Sequence, residues 1–351
     1  MHPSISPVSP VTAEVDTELP NAVNPFALSL NENPFPPLPA VRSALIRSID
    51  AANRYPEFLP ERLRRLIAGR IGVPADQVVL GAGATGVVLQ ALQALTTAGD
   101  EIVTATPTFD GYPIIAQMAR LTLVTVPLDK HGHNDLDGLA DAAANARVVV
   151  VCRPHNPTGT LEPTGALLTF LRRVPRDTVV LLDEAYIEFA SPEHRVDVAA
   201  LTARFPNVVV VRTFSKAYGL AGLRIGYGLA SDELARTLWA QQLPFGIAIT
   251  SLLAVAASYD AEDELLQRIR LITAERRYLR MRLSAMGIFT TDAQANFMYL
   301  PSQGRRGRLW RDVFADSGLQ VRCYPDGGAR ITVGNRASTL AVLSAVGKSV
   351  A

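Results

Sequence analysis

Short apolar runs recur through the middle of the chain, with room for a helix between most of them. They are Val78–Leu80, Glu101–Thr104, Leu121–Val126, Val148–Cys152, Val179–Leu182, Val208–Val211 and Gly226–Leu229. Several are continuous rather than alternating, as expected for strands buried on both faces. Segments with helical spacing lie between them, for example Gly86–Leu95 and Pro163–Arg173. Strands alternating with helices predict an α/β fold with a mostly parallel sheet sandwiched by helices. Past about residue 255 the texture changes. Leu265, Ile269, Ile272, Leu279, Leu283 and Met286 recur at three- and four-residue steps, which predicts one long amphipathic helix over Glu262–Met286. Short strands are expected at Asn296–Leu300, Leu319–Cys323 and Ala329–Val333, making a smaller α+β domain. The expected divisions are an N-terminal arm over 1–40, a large domain over 41–255 and a small domain over 256–351. Residues 1 to about 25, with Pro3, Pro7 and Pro10, read as a mobile arm.

Composition narrows the class. A length of 351 residues suffices for one large core or two domains. A net charge of +1 argues against a nucleic acid or an anionic membrane as partner. Two cysteines, Cys152 and Cys323, form no disulfide framework, and a cytoplasmic location is expected. No apolar run reaches the length of a membrane span, and the first residues lack a signal-peptide pattern.

The candidate chemistry centres on Lys216. It follows the Val208–Val211 run in the loop Thr213-Phe214-Ser215-Lys216-Ala217-Tyr218-Gly219, with Arg224 eight residues on. A lysine amine condenses with an aldehyde, and pyridoxal phosphate is the aldehyde that proteins hold this way. Two other polar residues follow strands: Asn156 after Val148–Cys152, and Asp183 after Val179–Leu182. In open α/β sheets, ligands sit beyond the carboxyl ends of the strands, so three distant segments aim amide, carboxylate and amine at one edge. Asp183 would pair with the pyridine N–H, and Tyr186 and Asn156 would bond the ring's phenolic oxygen. Taken alone, Asp183 reads equally well as a helix N-cap.

Gly81-Ala82-Gly83-Ala84-Thr85-Gly86 matches the dinucleotide fingerprint, but the acidic residue expected at the far end of the next strand is missing. Small residues at a helix N-terminus also let backbone N–H groups approach a phosphate. Gly83, Ala84 and Thr85 on one side, with Thr213, Ser215 and Arg224 on the other, form the expected phosphate site. Phe109 is placed to stack on the pyridine ring or to serve as a core residue beside a turn. Arg322 and Arg330 flank a Pro/Gly turn and offer forks for a carboxylate or phosphate, solvation being the usual fate of an arginine. His131 and His133 lie in a polar loop without further ligands, so no metal site is expected.

Together these residues resemble the class I/II, fold-type I aminotransferases that use pyridoxal phosphate, and most closely the histidinol-phosphate/aromatic branch. The likeness runs through Leu30-Asn31-Glu32-Asn33-Pro34, Asn53-Arg54-Tyr55-Pro56, Gly83-Ala84-Thr85, Pro107-Thr108-Phe109, Asn156-Pro157-Thr158-Gly159, Asp183-Glu184-Ala185-Tyr186, Ser215-Lys216 to Arg224-Ile225-Gly226, Asn296-Phe297 and Arg330-Ile331. The resemblance implies a homodimer with shared active sites, in which Tyr55 reaches the partner's cofactor phosphate. It also implies that the segment holding Asn33 helps cover the substrate and that Arg330 meets the substrate's anionic end. Where histidinol-phosphate enzymes show Pro-Tyr-Asn, this chain has Pro244-Phe245-Gly246, and their frequent stacking tyrosine is Phe109. Both changes remove polar groups, and a drier pocket favours an apolar aromatic side chain. The expected activity is ping-pong amino transfer from an aromatic amino acid to 2-oxoglutarate, with Lys216 as acid and base. The alternatives are a histidinol-phosphate aminotransferase, a decarboxylase on the same fold, and a nicotinamide-binding or regulatory protein using Gly81–Gly86.

Overall fold

The computed structural model describes residues 20–302 and 309–350. Residues 1–19, most of the stretch to about residue 25 expected to be mobile, lie outside the described residues. In chain order the elements are α1 (Pro39–Ser48), α2 (Glu61–Ile71), β1 (Val78–Gly81), α3 (Gly83–Leu95), β2 (Glu101–Thr106), α4 (Gly111–Met118), β3 (Thr122–Pro127) and α5 (Leu136–Ala142). Next come β4 (Val148–Cys152), α6 (Thr164–Arg173), β5 (Val179–Asp183), α7 (Val198–Arg204), β6 (Val208–Thr213), β7 (Gly226–Leu229), α8 (Asp232–Trp239) and α9 (Ile249–Asp260). The C-terminal part holds α10 (Glu262–Ala285), β8 (Phe297–Leu300), α11 (Trp310–Ala315), β9 (Arg322–Cys323), β10 (Ala329–Thr332) and α12 (Arg336–Val350).

Seven strands form one sheet in the order β1-β7-β6-β5-β4-β2-β3. All neighbours pair in parallel except β7, which runs antiparallel to both β1 and β6. The continuous apolar runs follow from this layout. Val149 and Val151 of β4, Val180 and Leu182 of β5, and Val208 and Val210 of β6 enter one core. Val148 and Val150, Leu181, and Val209 and Val211 enter a second core on the opposite face. Only the edge strand β3 shows partial exposure along its length.

The second unit is a three-stranded antiparallel sheet, β8-β10-β9, with its own core around Phe297, Leu300, Trp310, Ile331 and Val346. The long helix α10 links the two cores, since Leu265 packs in the first and Ile272, Leu279 and Leu283 in the last. Most expected elements lie within two residues of those observed, and two differ in extent by three. Strand β9 is two residues long, because Gln320 pairs instead in parallel with Ala27 of the N-terminal segment. Helix α3 starts at Gly83 rather than Gly86, as bare glycine backbones leave its first turn room against the sheet. A Cβ on Gly226 would lie 2.4 Å from the Ala84 nitrogen.

The N-terminal segment is tied to the small sheet. Leu28 N–H donates to the Gln320 carbonyl at 2.8 Å, and Thr332 N–H donates to the Leu28 carbonyl at 2.9 Å. Leu28 is also a core member of that unit. No described helix is long and apolar enough to cross a membrane.

The contact between β7 and the start of α3 gives a direct test. Gly226→Ala should destabilise the protein by about 1–3 kcal/mol, since backbone atoms must move to admit the methyl group. Urea unfolding would show it, and unchanged stability would contradict the close approach.

Candidate active site

The carboxyl ends of β4, β5 and β6 lie side by side, because parallel pairing sets Cys152 opposite Asp183 and Asp183 opposite Val211. Beyond them opens a cavity of about 260 Å³. Ten of the expected residues line it: Ala84, Thr85, Phe109, Asn156, Asp183, Tyr186, Thr213, Ser215, Lys216 and Arg224. The convergence read from the strand ends is therefore present in three dimensions.

Asp183 ends β5 and is fully buried against the cavity floor. Its Oδ1 accepts from the Ala185 N–H at 3.0 Å, and its Oδ2 accepts from the Tyr112 hydroxyl at 2.5 Å. Burial raises its pKa, against the lowering pull of those two donors. No cationic side chain forms an ion pair with it among the described residues. Its neighbour Glu184 is the opposite case. Glu184 faces away and takes two bonds from Arg212, at 3.0 and 2.7 Å, with Arg153 at 3.8 Å. Of two adjacent buried acids, one is ion-paired by arginines and the other receives neutral donors and forms no ion pair among the described residues.

Lys216 Nζ donates to the Leu30 carbonyl at 2.9 Å. Burial, assisted by the positive charges of Arg330 and Arg224, pulls its ammonium down to about 8. A larger share of the amine is thereby free to act as nucleophile or base near neutral pH.

Tyr186 OH accepts from Asn31 Nδ2 at 3.0 Å and from Asn156 Nδ2 at 3.4 Å, and burial holds its phenol above the usual range. Asn156 Oδ1 in turn accepts from Arg330 Nη1 at 2.5 Å. Arg330 Nη2 donates to the Ser29 carbonyl at 2.5 Å, while its Nε is buried without a partner. His155, pushed down to about 4 by burial, stays neutral and meets the Pro107 carbonyl through Nε2 at 2.9 Å. It braces the Asn156 loop against the loop of Phe109.

At the other end of the cavity Arg224 sits in left-handed backbone, at φ 48°, with no carboxylate partner among the described residues. Its guanidinium reaches the Ala221 carbonyl at 2.8 Å, the Ser215 hydroxyl at 3.5 Å and the Ala82 carbonyl at 3.4 Å. A Cβ on Gly83 would lie 2.6 Å from Arg224 Nη2, so only glycine lets that backbone and the guanidinium approach. Helix α3 begins here without a side-chain cap. Its free N–H groups, the Thr213 and Ser215 hydroxyls and an unpaired arginine make a site for a small anion.

Six expected residues do not line this cavity: Gly83 and Arg330, described above, and Tyr55, Phe245, Arg322 and Asn33. Tyr55 is 83% exposed and stacks on Phe245 at 4.8 Å, with Phe58 edge-on to Phe245 at 5.1 Å. Arg322 pairs with Asp110 at 2.8 Å. Asn33 donates from Nδ2 to the carbonyls of Lys216 and Ala217, at 3.1 and 3.0 Å, so it holds the lysine's loop from behind. Sequence reasoning passed over Tyr112, Cys152, Leu30 and Glu32, all cavity-lining. Tyr112 had a signal: it lies three residues after Phe109, in the same segment that follows the Glu101–Thr104 run. The described residues hold no cluster of acids, histidines and cysteines able to bind a metal.

Similarity now adds to geometry. Residues 23–346 match the family model described as aminotransferase class I and II. The chain belongs to that family. An aromatic amino acid aminotransferase from Cutibacterium acnes is 41% identical over 328 residues, covering 93% of each chain. One of the same name from Streptomyces avermitilis is 42% identical over 310 residues, covering 88% of this chain and 86% of its own length. Among solved structures, a histidinol-phosphate aminotransferase from Sinorhizobium meliloti in complex with pyridoxal-5'-phosphate superposes with a TM-score of 0.85 at 27% identity. That match covers 93% of this chain and 90% of the other. The chain is an aminotransferase of fold type I.

The electrostatics of the lysine are open to measurement. In the cofactor-free protein, the rate of Lys216 labelling by an amine-selective reagent should rise with pH through a midpoint near 8. Arg330→Met removes a nearby positive charge and should move the midpoint upward. A wild-type midpoint near the ordinary lysine value would contradict the site as described.

Proposed function

We propose that this enzyme transfers the amino group of an aromatic amino acid to a 2-oxo acid such as 2-oxoglutarate, with pyridoxal phosphate as cofactor. The observation that carries the reaction type is the pair of unneutralised charges at opposite ends of one cavity, with the Lys216 amine between them. A cationic ring nitrogen answers the buried Asp183 carboxylate, and a phosphate answers Arg224, Ser215, Thr213 and the start of α3. The residues present therefore fit this cofactor. When bound, it takes up an amino group and accepts the electron pair released at the substrate's α-carbon.

The chain's own residues divide the remaining work. Asp183 holds positive charge at the ring nitrogen. Tyr186 and Asn156 would donate toward the ring's phenolic oxygen, and Phe109 would meet the ring face. Lys216, with its lowered proton affinity, takes a proton from the substrate's α-carbon and returns it to the neighbouring acceptor position. Arg330, buried with an unpartnered Nε, binds the substrate carboxylate, and its bond to Asn156 fixes that carboxylate relative to the ring. Leu30 and the N-terminal segment close over the lysine and exclude water.

The aromatic preference rests on the two relatives at about 40% identity and on the apolar lining supplied by Leu30, Val88, Phe109 and Ile115. A histidinol-phosphate donor is the second reading, supported by the 27% identical neighbour. The decarboxylase among the structural neighbours is 22% identical and speaks for the fold alone. A homodimer belongs to this proposal. Tyr55, Phe58, Leu243 and Phe245 form an exposed aromatic and aliphatic cluster that a second copy would cover, and Tyr55 would extend into the partner's phosphate site.

Two measurements test the reading. Lys216→Ala should lose about a thousandfold or more in turnover, because a positioned acid/base is removed. Normal turnover in that variant would contradict the mechanism. In a donor panel with 2-oxoglutarate, phenylalanine, tyrosine and tryptophan should exceed histidine and histidinol phosphate in kcat/KM. A strong preference for histidinol phosphate would overturn the aromatic assignment.

A further inference from the structure

The buried acid at the cavity floor has a partner that the proposed chemistry does not yet use. Asp183 Oδ1 is occupied by the Ala185 N–H, so Oδ2 depends on the Tyr112 hydroxyl for its protein donor. Tyr112 is the donor here, because burial and the adjacent Asp183 charge push its phenol well above the usual range. At 2.5 Å the contact is a short, charge-assisted bond. The hydroxyl is also rigidly presented. Tyr112 is 1% exposed, stands in the first turn of α4, and meets the Phe109 ring edge-on at 5.4 Å. Gly111 makes this packing possible, since a Cβ there would lie 2.3 Å from the Phe109 ring.

We infer that Tyr112 is a positioning residue for the reaction: its hydroxyl keeps Asp183 ionised and aimed into the cavity, so that a bound ring nitrogen retains its proton. This rests on the assignment of Asp183 to the ring nitrogen. The physical reason is a competition for one proton. Asp183 and a pyridine nitrogen share it, and each donor to the carboxylate weakens the carboxylate's claim. Without the hydroxyl, Oδ2 is buried with no protein donor. The carboxyl then holds the proton itself and the ring nitrogen is left neutral. Tyr112 thus acts on the cofactor's electron demand through Asp183, while its ring helps seat Phe109.

The test compares two probes on cofactor-free protein, pyridoxal phosphate and its 1-deaza analogue, in which a C–H replaces the ring nitrogen. Wild type should prefer pyridoxal phosphate. Tyr112→Phe should reduce that preference by about tenfold or more, as expected for loss of a hydrogen bond to a charged group, with little change in affinity for the analogue. Tyr112→His, which restores a donor, should regain part of the preference. Phe109→Leu loses ring packing and keeps the hydroxyl, so it should weaken both probes by the same factor and retain the preference. Full preference in Tyr112→Phe, or equal weakening of both probes, would overturn the role of Tyr112. Absence of preference in wild type would instead overturn the assignment of Asp183, and this inference with it.

Discussion

A carboxylate buried without a cation is a costly thing for a protein to keep, and the arrangement around Asp183 makes sense only around that cost. The adjacent Glu184 shows that this chain has the means to neutralise an acid at the same strand end, with Arg212 and Arg153. Asp183 instead receives two neutral donors, Ala185 N–H and Tyr112 OH, which lower its proton affinity against the effect of burial and orient it without supplying a counter-charge. Arg224 repeats the pattern with the opposite sign at the other end of the cavity. The site is therefore held in readiness for a ligand that is positive at one end and negative at the other.

The fold supplies the rigidity that such readiness needs. Parallel pairing aligns the ends of β4, β5 and β6, and burial of both sheet faces fixes those strands. The three-stranded sheet contributes to the site as well. Arg330 on β10 reaches Asn156, and Asn31, tied through the Thr332 hydroxyl to the same strand, reaches Tyr186. The N-terminal segment is thus shared between both units, since it adds to the small sheet and also brings Leu30 onto Lys216.

Much of this was legible in the sequence because it depends on local pattern. Continuous apolar runs announce strands buried on two faces, and the polar residues that follow them mark the ligand edge. The reversed direction of β7 follows from the loop 214–225, which joins it to β6 without the crossover helix that a parallel neighbour needs. Tyr112 was hidden because a tyrosine beside Phe109 reads as packing until its hydroxyl is seen on Asp183. Arg322 read as an anion ligand, but its partner Asp110 is distant in sequence and belongs to the other unit. Tyr55 and Phe245 pack on one another at the surface, away from the cavity.

The central claim is that Lys216, among all the lysines, carries the cofactor, and borohydride reduction tests it most directly. Purified protein supplied with pyridoxal phosphate should, after reduction and peptide mass mapping, carry one phosphopyridoxyl group at Lys216. Modification elsewhere, or none, would contradict the account.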